Sequence, residues 1–195
     1  MLRYKLLANQ LESLKEELKL SNEIVVSAAK KVESLFSKSF NHPQDPPLPK
    51  IPENIDSENA SQERPNNKPS KLTKHAFRKI ALKIHPDKII HLEGSVEYEE
   101  KIKLYQKAQS AHDDDEVIIL VDIMNSLGIH PPEVSEIDLI NTENKIRSIK
   151  KEIERIHSTL VWRWKMTYNK EEKDAILKEL FRLLHERNKN KNPGP

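Results

Sequence analysis

The sequence contains no cysteine and only three glycines among its 195 residues. Without cysteine there is no disulfide framework, no thiolate nucleophile and no cysteine-ligated zinc site. Three glycines are too few to predict a loop that cradles phosphate groups. The longest apolar run, 117–121, is far too short to span a membrane, and the N-terminus lacks the apolar core of a signal peptide. We therefore expect a soluble intracellular protein, cytoplasmic by default, that carries no cofactor.

The composition is also poor in apolar residues and rich in charged ones. Apolar residues make up 36% of the chain and charged residues 33%, whereas globular domains average about 45–50% and about 25%. This balance favours elongated helices over one thick core. The 33 basic and 31 acidic residues leave a net charge of only +2, which does not indicate bulk binding of nucleic acid.

Two segments carry apolar residues at spacings of three and four, which predicts two long coiled-coil helices. The first covers residues 1 to about 38, and the second starts at a capping Ser135 and reaches about Val161. The two apolar seams could pair antiparallel within one chain, or the first could form a coiled-coil homodimer. Replacing Leu14 or Ile149 by alanine is expected to cost about 2–5 kcal/mol if the side chain is fully buried.

Between these helices, the composition changes sharply at residues 41–70. Seven prolines lie in this segment, separated mainly by polar residues, and no apolar period survives. We expect a disordered, proline-rich linker that acts as a spacer. The predicted domains are therefore an N-terminal coiled-coil helix (1–40), the linker, a central helical domain (71–128) and a C-terminal helical hairpin (129–195). No segment shows a convincing strand alternation, so the predicted fold is all-α.

The segment 71–88, KLTKHAFRKIALKIHPDK, predicts a helix that is apolar on one side and basic on another. Its apolar face carries Thr73, Ala76, Phe77, Ile80, Ala81 and Ile84. Its basic residues are Lys71, Lys74, His75, Arg78, Lys79 and Lys83. Pro86 cannot donate to a helix and disfavours helical angles at His85, so the helix ends there. His85 and Asp87 are therefore expected on a stiff corner just beyond a basic helix.

That corner resembles the J-domain (DnaJ-like) family of co-chaperones. The residues that carry the resemblance are the signature tripeptide His85, Pro86 and Asp87, together with Phe77, Arg78, Ala81 and Lys88 of the second-helix pattern. The segment from Tyr105 to His112 resembles the third helix of that family, although His112 stands where an aromatic residue is usual. The resemblance covers about 71–112. The usual first helix is missing, and an apolar helix at 116–127 replaces the usual basic fourth helix.

The resemblance implies that the tripeptide loop and the basic helix bind the ATPase domain of a seventy-kilodalton heat-shock chaperone and stimulate its ATP hydrolysis. The partner-binding residues would be His85, Pro86, Asp87, Lys74, Arg78, Lys79, Lys83 and Lys88. We expect no enzyme activity in this chain, because no nucleophile or oxyanion loop accompanies His85 and Asp87. Two alternatives stay open: a structural coiled-coil or adaptor protein that keeps the hairpin for packing, and a nucleic-acid-binding protein that uses the basic helix.

Several smaller features are also predicted from the sequence. Residues 89–94 read as a loop, after which Ser95 can cap the next helix. The acidic run 113–116 is expected to begin a further helix and complement its dipole rather than hold a metal. Gly128 is expected to end that helix in a left-handed conformation. The aromatic residues of 162–168 are expected mostly in a core, and a last helix at about 170–187 precedes a frayed tail.

Overall fold

A computed structural model describes residues 2–40 and 69–191, and throughout these residues the regular structure is helical, without a strand. The helices are α1 (Leu2–Phe40), α2 (Lys71–Ile84), α3 (Pro86–Ile89), a 3-10 turn (Ile90–Leu92), α4 (Val96–Asp113), α5 (Val117–Ser126), α6 (Glu136–His157), α7 (Leu160–Met166) and α8 (Lys170–Lys191). The all-α prediction is confirmed. The predicted linker lies outside the described residues except for 69–70, as does the end of the predicted tail, 192–195.

The described residues form two compact units whose boundaries differ from the domains expected from the sequence. One unit contains 2–14 and 69–148, and the other contains 15–40 and 149–191. Helices α1 and α6 each contribute to both units, because a long amphipathic helix can bury successive parts of its seam in different cores. Within the predicted C-terminal hairpin (129–195), α7 and α8 pack against each other.

The first unit is built on the α2–α4 hairpin. α5 packs against both of these helices, and seven of its ten residues are buried, as its apolar sequence predicts. Phe77 near the start of α2 contacts His112 at the end of α4, whereas His85 beyond the end of α2 contacts Tyr105. The two helices are therefore antiparallel, as expected.

Two connections in this unit differ from the prediction. Residues 89–94 are not a plain loop, because α3 extends from Pro86 to Ile89 and the 3-10 turn occupies Ile90–Leu92. The acidic run does not begin α5 either: Asp113 ends α4, Asp115 has a positive φ of 52°, and Glu116 is the N-cap. The first turn of α5 contains no acidic residue. Gly128 has φ +66°, which confirms the left-handed stop.

The second unit is centred on a cluster in which Ala28 and Val32 of α1 pack with Trp164 of α7 and with Ile176 and Leu180 of α8. Helix α6 ends at His157, earlier than expected. The hydroxyls of Ser158 and Thr159 donate hydrogen bonds to carbonyls of the last turn of α6. Thr159 then adopts extended backbone angles and caps α7, so the helix cannot continue.

The core prediction for the aromatic segment is right for Trp164, which is 5% exposed. Trp162 is half-buried and stacks on His157 with ring centroids 4.0 Å apart. The prediction is wrong for Tyr168, which is 98% exposed in the turn between α7 and α8. Tyr168 lies beyond the last residue of α7, so the packing of that helix against the core does not bury it.

The seams of α1 and α6 are buried within the chain at many of the expected positions, including Leu11 and Ile153. Leu14 and Ile149 are only half-buried. The loss of about 2–5 kcal/mol expected for a fully buried side chain therefore does not apply to their replacement by alanine. Arg3 of α1 donates to Glu143 of α6, and Ser21 of α1 contacts His157 at the end of α6. Residue numbers rise together in both helices, so α1 and α6 run parallel. The antiparallel expectation is wrong, because an apolar seam does not specify the direction in which two helices pack.

Candidate functional site

The corner at His85 joins two helices through one residue. The His85 backbone N–H donates to the Ala81 carbonyl at 2.9 Å and closes α2. Its ring Nδ1 accepts the backbone N–H of Asp87 at 3.3 Å and caps α3, whose first residue is Pro86. Proline suits this first position because its ring fixes a helical φ and no N–H is needed there. The corner is thus held by backbone constraints and one side-chain cap.

The corner presents a carboxylate to solvent. The Asp87 side chain is 89% exposed and that of His85 is 41% exposed. One Asp87 carboxylate oxygen, Oδ2, lies 3.6 Å from His85 Nδ1, at the long edge of ion-pair distance. An exposed carboxylate on a rigid turn is well placed to accept charge-assisted hydrogen bonds from a cationic group.

Aromatic rings of the α2–α4 hairpin pack beside the corner. The Tyr105 ring meets the His85 ring edge-on, with centroids 5.3 Å apart and planes at 79°. Phe77 lies 6.0 Å from Tyr105 and 4.7 Å from His112. His112 therefore contributes a flat ring to the packing around Phe77. Its Nδ1 also contacts an Asp113 carboxylate oxygen at 3.0 Å.

The outward side of α2 is cationic, and the helix contains no acidic residue. The exposed basic residues of this side are Lys71, Lys74, His75 and Arg78; Lys79 is half-buried. The opposite side is buried through Thr73, Ala76, Ile80 and Ile84. The amphipathic pattern of the sequence thus assigns the two sides of α2 correctly, and Lys74 and Arg78 lie on one exposed surface that ends near the corner.

Two of the predicted site residues make contacts inside the chain. The Lys83 ammonium donates to the Leu127 carbonyl at the C-terminus of α5. The Lys88 ammonium donates to the Leu82 carbonyl in the last turn of α2 at 2.9 Å. Cations at helix C-termini are favourable because the terminal carbonyls carry partial negative charge. These two lysines therefore also secure the helices that meet at the corner.

Two exposed apolar residues lie next to the corner and were not among the predicted site residues. Leu82 is 59% exposed one turn before Pro86, and Ile90 is 62% exposed one turn after it. The helical spacing of α2 does contain the signal for Leu82, because this residue falls on the basic side, away from Ile80 and Ile84. No comparable periodicity exists for Ile90, which lies in the 3-10 turn.

At the opposite end of α2, Asp115 anchors the first turn. Its Oδ1 accepts the backbone N–H of Ser70 at 2.9 Å and the hydroxyl of the fully buried Thr73. Burial works against the charge of Asp115, but the hydrogen bonds from Thr73 and Ser70 outweigh it, so the pKa of Asp115 lies below its usual value. The acidic run therefore complements the N-terminus of α2 rather than that of α5.

A cavity of about 580 Å³ borders this anchor, and its lining includes Leu11, Asp138 and Lys145. The Lys145 ammonium pairs at 2.5 Å with Glu116, whose side chain is 2% exposed. The charges that line the cavity thus include an ion pair between a half-exposed lysine and a buried glutamate, which links α6 to the α4–α5 corner.

Among the described residues, no group of three or more histidines and carboxylates is arranged to hold a metal ion, and His85, Asp87 and His91 form no such group. Within 2–40 and 69–191, no helix is long and apolar enough to cross a membrane. No protein-family model, curated protein or solved structure matches this chain.

Proposed function

We propose that this chain is a J-domain-like co-chaperone that binds a seventy-kilodalton heat-shock chaperone and stimulates its ATP hydrolysis. The observation that carries the proposal is the exposed corner His85-Pro86-Asp87 at the end of a helix with a cationic outer side. The antiparallel packing of α2 and α4 around Phe77 and Tyr105 supports it. In this proposal the chaperone performs the hydrolysis, and the present chain supplies no catalytic group.

The chemistry assigns different roles to the corner and to the helix. Asp87 accepts hydrogen bonds from a cationic group of the partner, and such bonds are roughly twice as strong as neutral ones. Lys74, Arg78 and Lys79 attract an acidic surface, which raises the association rate and makes it depend on salt. Pro86 keeps the corner rigid, so little conformational freedom is lost when the partner binds.

The departures from the usual family pattern are compatible with this proposal. α5 packs against both α2 and α4, so the hairpin has a third helix to complete its core. Glu12 of α1 pairs with Lys107 of α4 at 2.6 Å, which adds a contact from the N-terminal helix. We propose that these two elements stabilise the hairpin in place of the missing first helix.

The test is the steady-state ATPase rate of purified candidate chaperones with wild-type protein and with Asp87→Asn. The substitution keeps the size of the side chain and removes its charge. We expect stimulation by wild type and its loss with Asp87→Asn. Because Asp87 is 89% exposed on a turn, the thermal midpoint should hardly change. Glu93→Gln removes a nearby exposed carboxylate and is the matched control that should retain stimulation.

A structural or adaptor role is the second candidate, and the burial of the α1 seam within the chain favours it. Leu7, Leu11, Val25 and Val32 are all buried without a second copy. The same burial leads us to propose that these seam residues are not a homodimer interface. A structural role predicts that several chaperones hydrolyse ATP at the same rate with wild type, with Asp87→Asn and without the protein. That result would eliminate the co-chaperone proposal.

A further inference from the structure

The His85 ring has a defined proton pattern that follows from its contacts. Nδ1 accepts the backbone N–H of Asp87 at 3.3 Å. A neutral imidazole carries one proton, and the nitrogen that accepts a hydrogen bond cannot carry it. Neutral His85 is therefore protonated on Nε2. Since 41% of this side chain is exposed, Nε2–H is the donor that the ring can offer to a partner.

The orientation of this ring depends on a neighbour outside the corner. Tyr105 of α4 contacts the His85 ring edge-on, with ring centroids 5.3 Å apart and ring planes at 79°. Edge-to-face geometry is a favoured arrangement of aromatic rings. Tyr105 is in turn packed beside Phe77 at 6.0 Å, so it is supported from inside the hairpin.

We infer that Tyr105 is a positioning residue for the partner-binding corner. It holds the His85 ring so that Nδ1 faces the Asp87 backbone and the proton stays on Nε2. Without this contact the ring is free to leave the Asp87 backbone N–H, and neutral His85 can then carry its proton on Nδ1 and donate it to the Asp87 carboxylate, whose Oδ2 is 3.6 Å from Nδ1 in the present orientation. One carboxylate oxygen and the Nε2–H donor would then be lost to a partner. The effect on partner binding rests on the proposed co-chaperone function.

The Tyr105 ring, rather than its hydroxyl, makes the contact in question. Tyr105→Phe keeps the ring and should preserve the orientation of His85, whereas Tyr105→Leu removes the ring. His112→Leu is the matched control, because it removes another ring contact of the same hairpin, the one to Phe77 at 4.7 Å. Hairpin destabilisation should therefore affect the two leucine variants alike, while the state of His85 should change in only one of them.

The first measurement uses free protein. Nitrogen-15 NMR of the imidazole distinguishes the two neutral tautomers, and the Asp87 amide reports its own hydrogen bond. We expect wild type, Tyr105→Phe and His112→Leu to show Nε2 protonation and a protected Asp87 amide. Tyr105→Leu should gain the Nδ1-protonated tautomer and lose this amide protection. An unchanged pattern in Tyr105→Leu, or the same change in His112→Leu, would overturn the inference.

The second measurement is the affinity for the chaperone that responds in the ATPase assay. An aromatic contact of this kind corresponds to roughly a twofold to tenfold change in affinity. We expect a loss of that size for Tyr105→Leu and wild-type affinity for Tyr105→Phe. Full affinity of Tyr105→Leu would overturn the positioning role. If the tautomer changes as expected but no variant binds any chaperone, the co-chaperone proposal fails while the assignment of the His85 ring stands.

Discussion

The contact between Asp115 and the first turn of α2 leads to a quantitative prediction. Asp115→Ala removes a charged acceptor from the Ser70 N–H and the Thr73 hydroxyl. Hydrogen bonds to charged groups contribute about 1.5–3 kcal/mol each, with lower values at exposed sites. Asp115 also has φ +52°, and alanine in this left-handed region costs about 1–2 kcal/mol. Thr73 keeps Ser70 Oγ at 2.8 Å as a second partner. Because Asp115 is exposed and Thr73 keeps this second partner, we expect about 1–2 kcal/mol from the two lost hydrogen bonds together. With the backbone cost, the expected total loss for Asp115→Ala is about 2–4 kcal/mol.

Two further substitutions separate the hydrogen bonds from the backbone strain. Asp115→Asn retains Oδ1 and tolerates a positive φ, so it loses only the charge near a helix N-terminus, worth about 0.3–1 kcal/mol. Asp115→Gly loses the acceptor but removes the strain, and should be about 1 kcal/mol less destabilising than Asp115→Ala. At position 115 the glycine variant should therefore be more stable than the alanine variant, whereas in the interior of a helix alanine is the more stabilising of the two.

The measurement is urea unfolding followed by circular dichroism, together with hydrogen exchange at the start of α2. The pKa of Asp115 is lowered in the folded protein, so its charge stabilises the fold above the unfolded value of about 3.9. That stabilisation is lost as pH falls through the lower, folded pKa. The difference between wild type and Asp115→Asn should therefore vanish in acid. A loss below about 0.5 kcal/mol for Asp115→Ala, or greater destabilisation by glycine, would refute this account.

Two other predictions concern the seam and the basic side of α2. Leu11→Ala, at a side chain 1% exposed, should cost about 2–5 kcal/mol, whereas the half-buried Leu14→Ala should cost about 1 kcal/mol; equal losses in urea unfolding would contradict the observed burial. Arg78→Glu combined with Lys79→Glu should slow association with the proposed chaperone partner and flatten the salt dependence of the association rate, because these charges act by steering. An unchanged association rate at low salt would show that the basic side of α2 does not face the partner.

Much of the local structure could be predicted from the sequence. The spacing of apolar residues identifies α2 and its buried side, Ser95 caps α4 as expected, and Pro86 ends α2 at His85. These features depend on interactions within a few residues, so the local sequence contains the necessary information. The exposed corner at Asp87 follows from the same local rules.

Other features depended on contacts between distant segments. The acidic run looks like a helix start, but Asp115 turns back to Ser70 and Thr73, which lie far away in the sequence. Lys83 resembles its basic neighbours on α2, yet its ammonium reaches the Leu127 carbonyl. Helical periodicity specifies which side of a helix is buried, but not which partner covers it.

The sequence by itself determined that this is an all-α chain with two long amphipathic helices and a proline-bounded corner at His85 and Asp87. Helical period and the backbone limits of proline are local properties, and they act whatever the rest of the chain does. Only the tertiary structure decided that α1 runs parallel to α6, and that Tyr105 meets the His85 ring. An apolar seam can pack in either direction, so the direction is decided by contacts between residues far apart in the sequence.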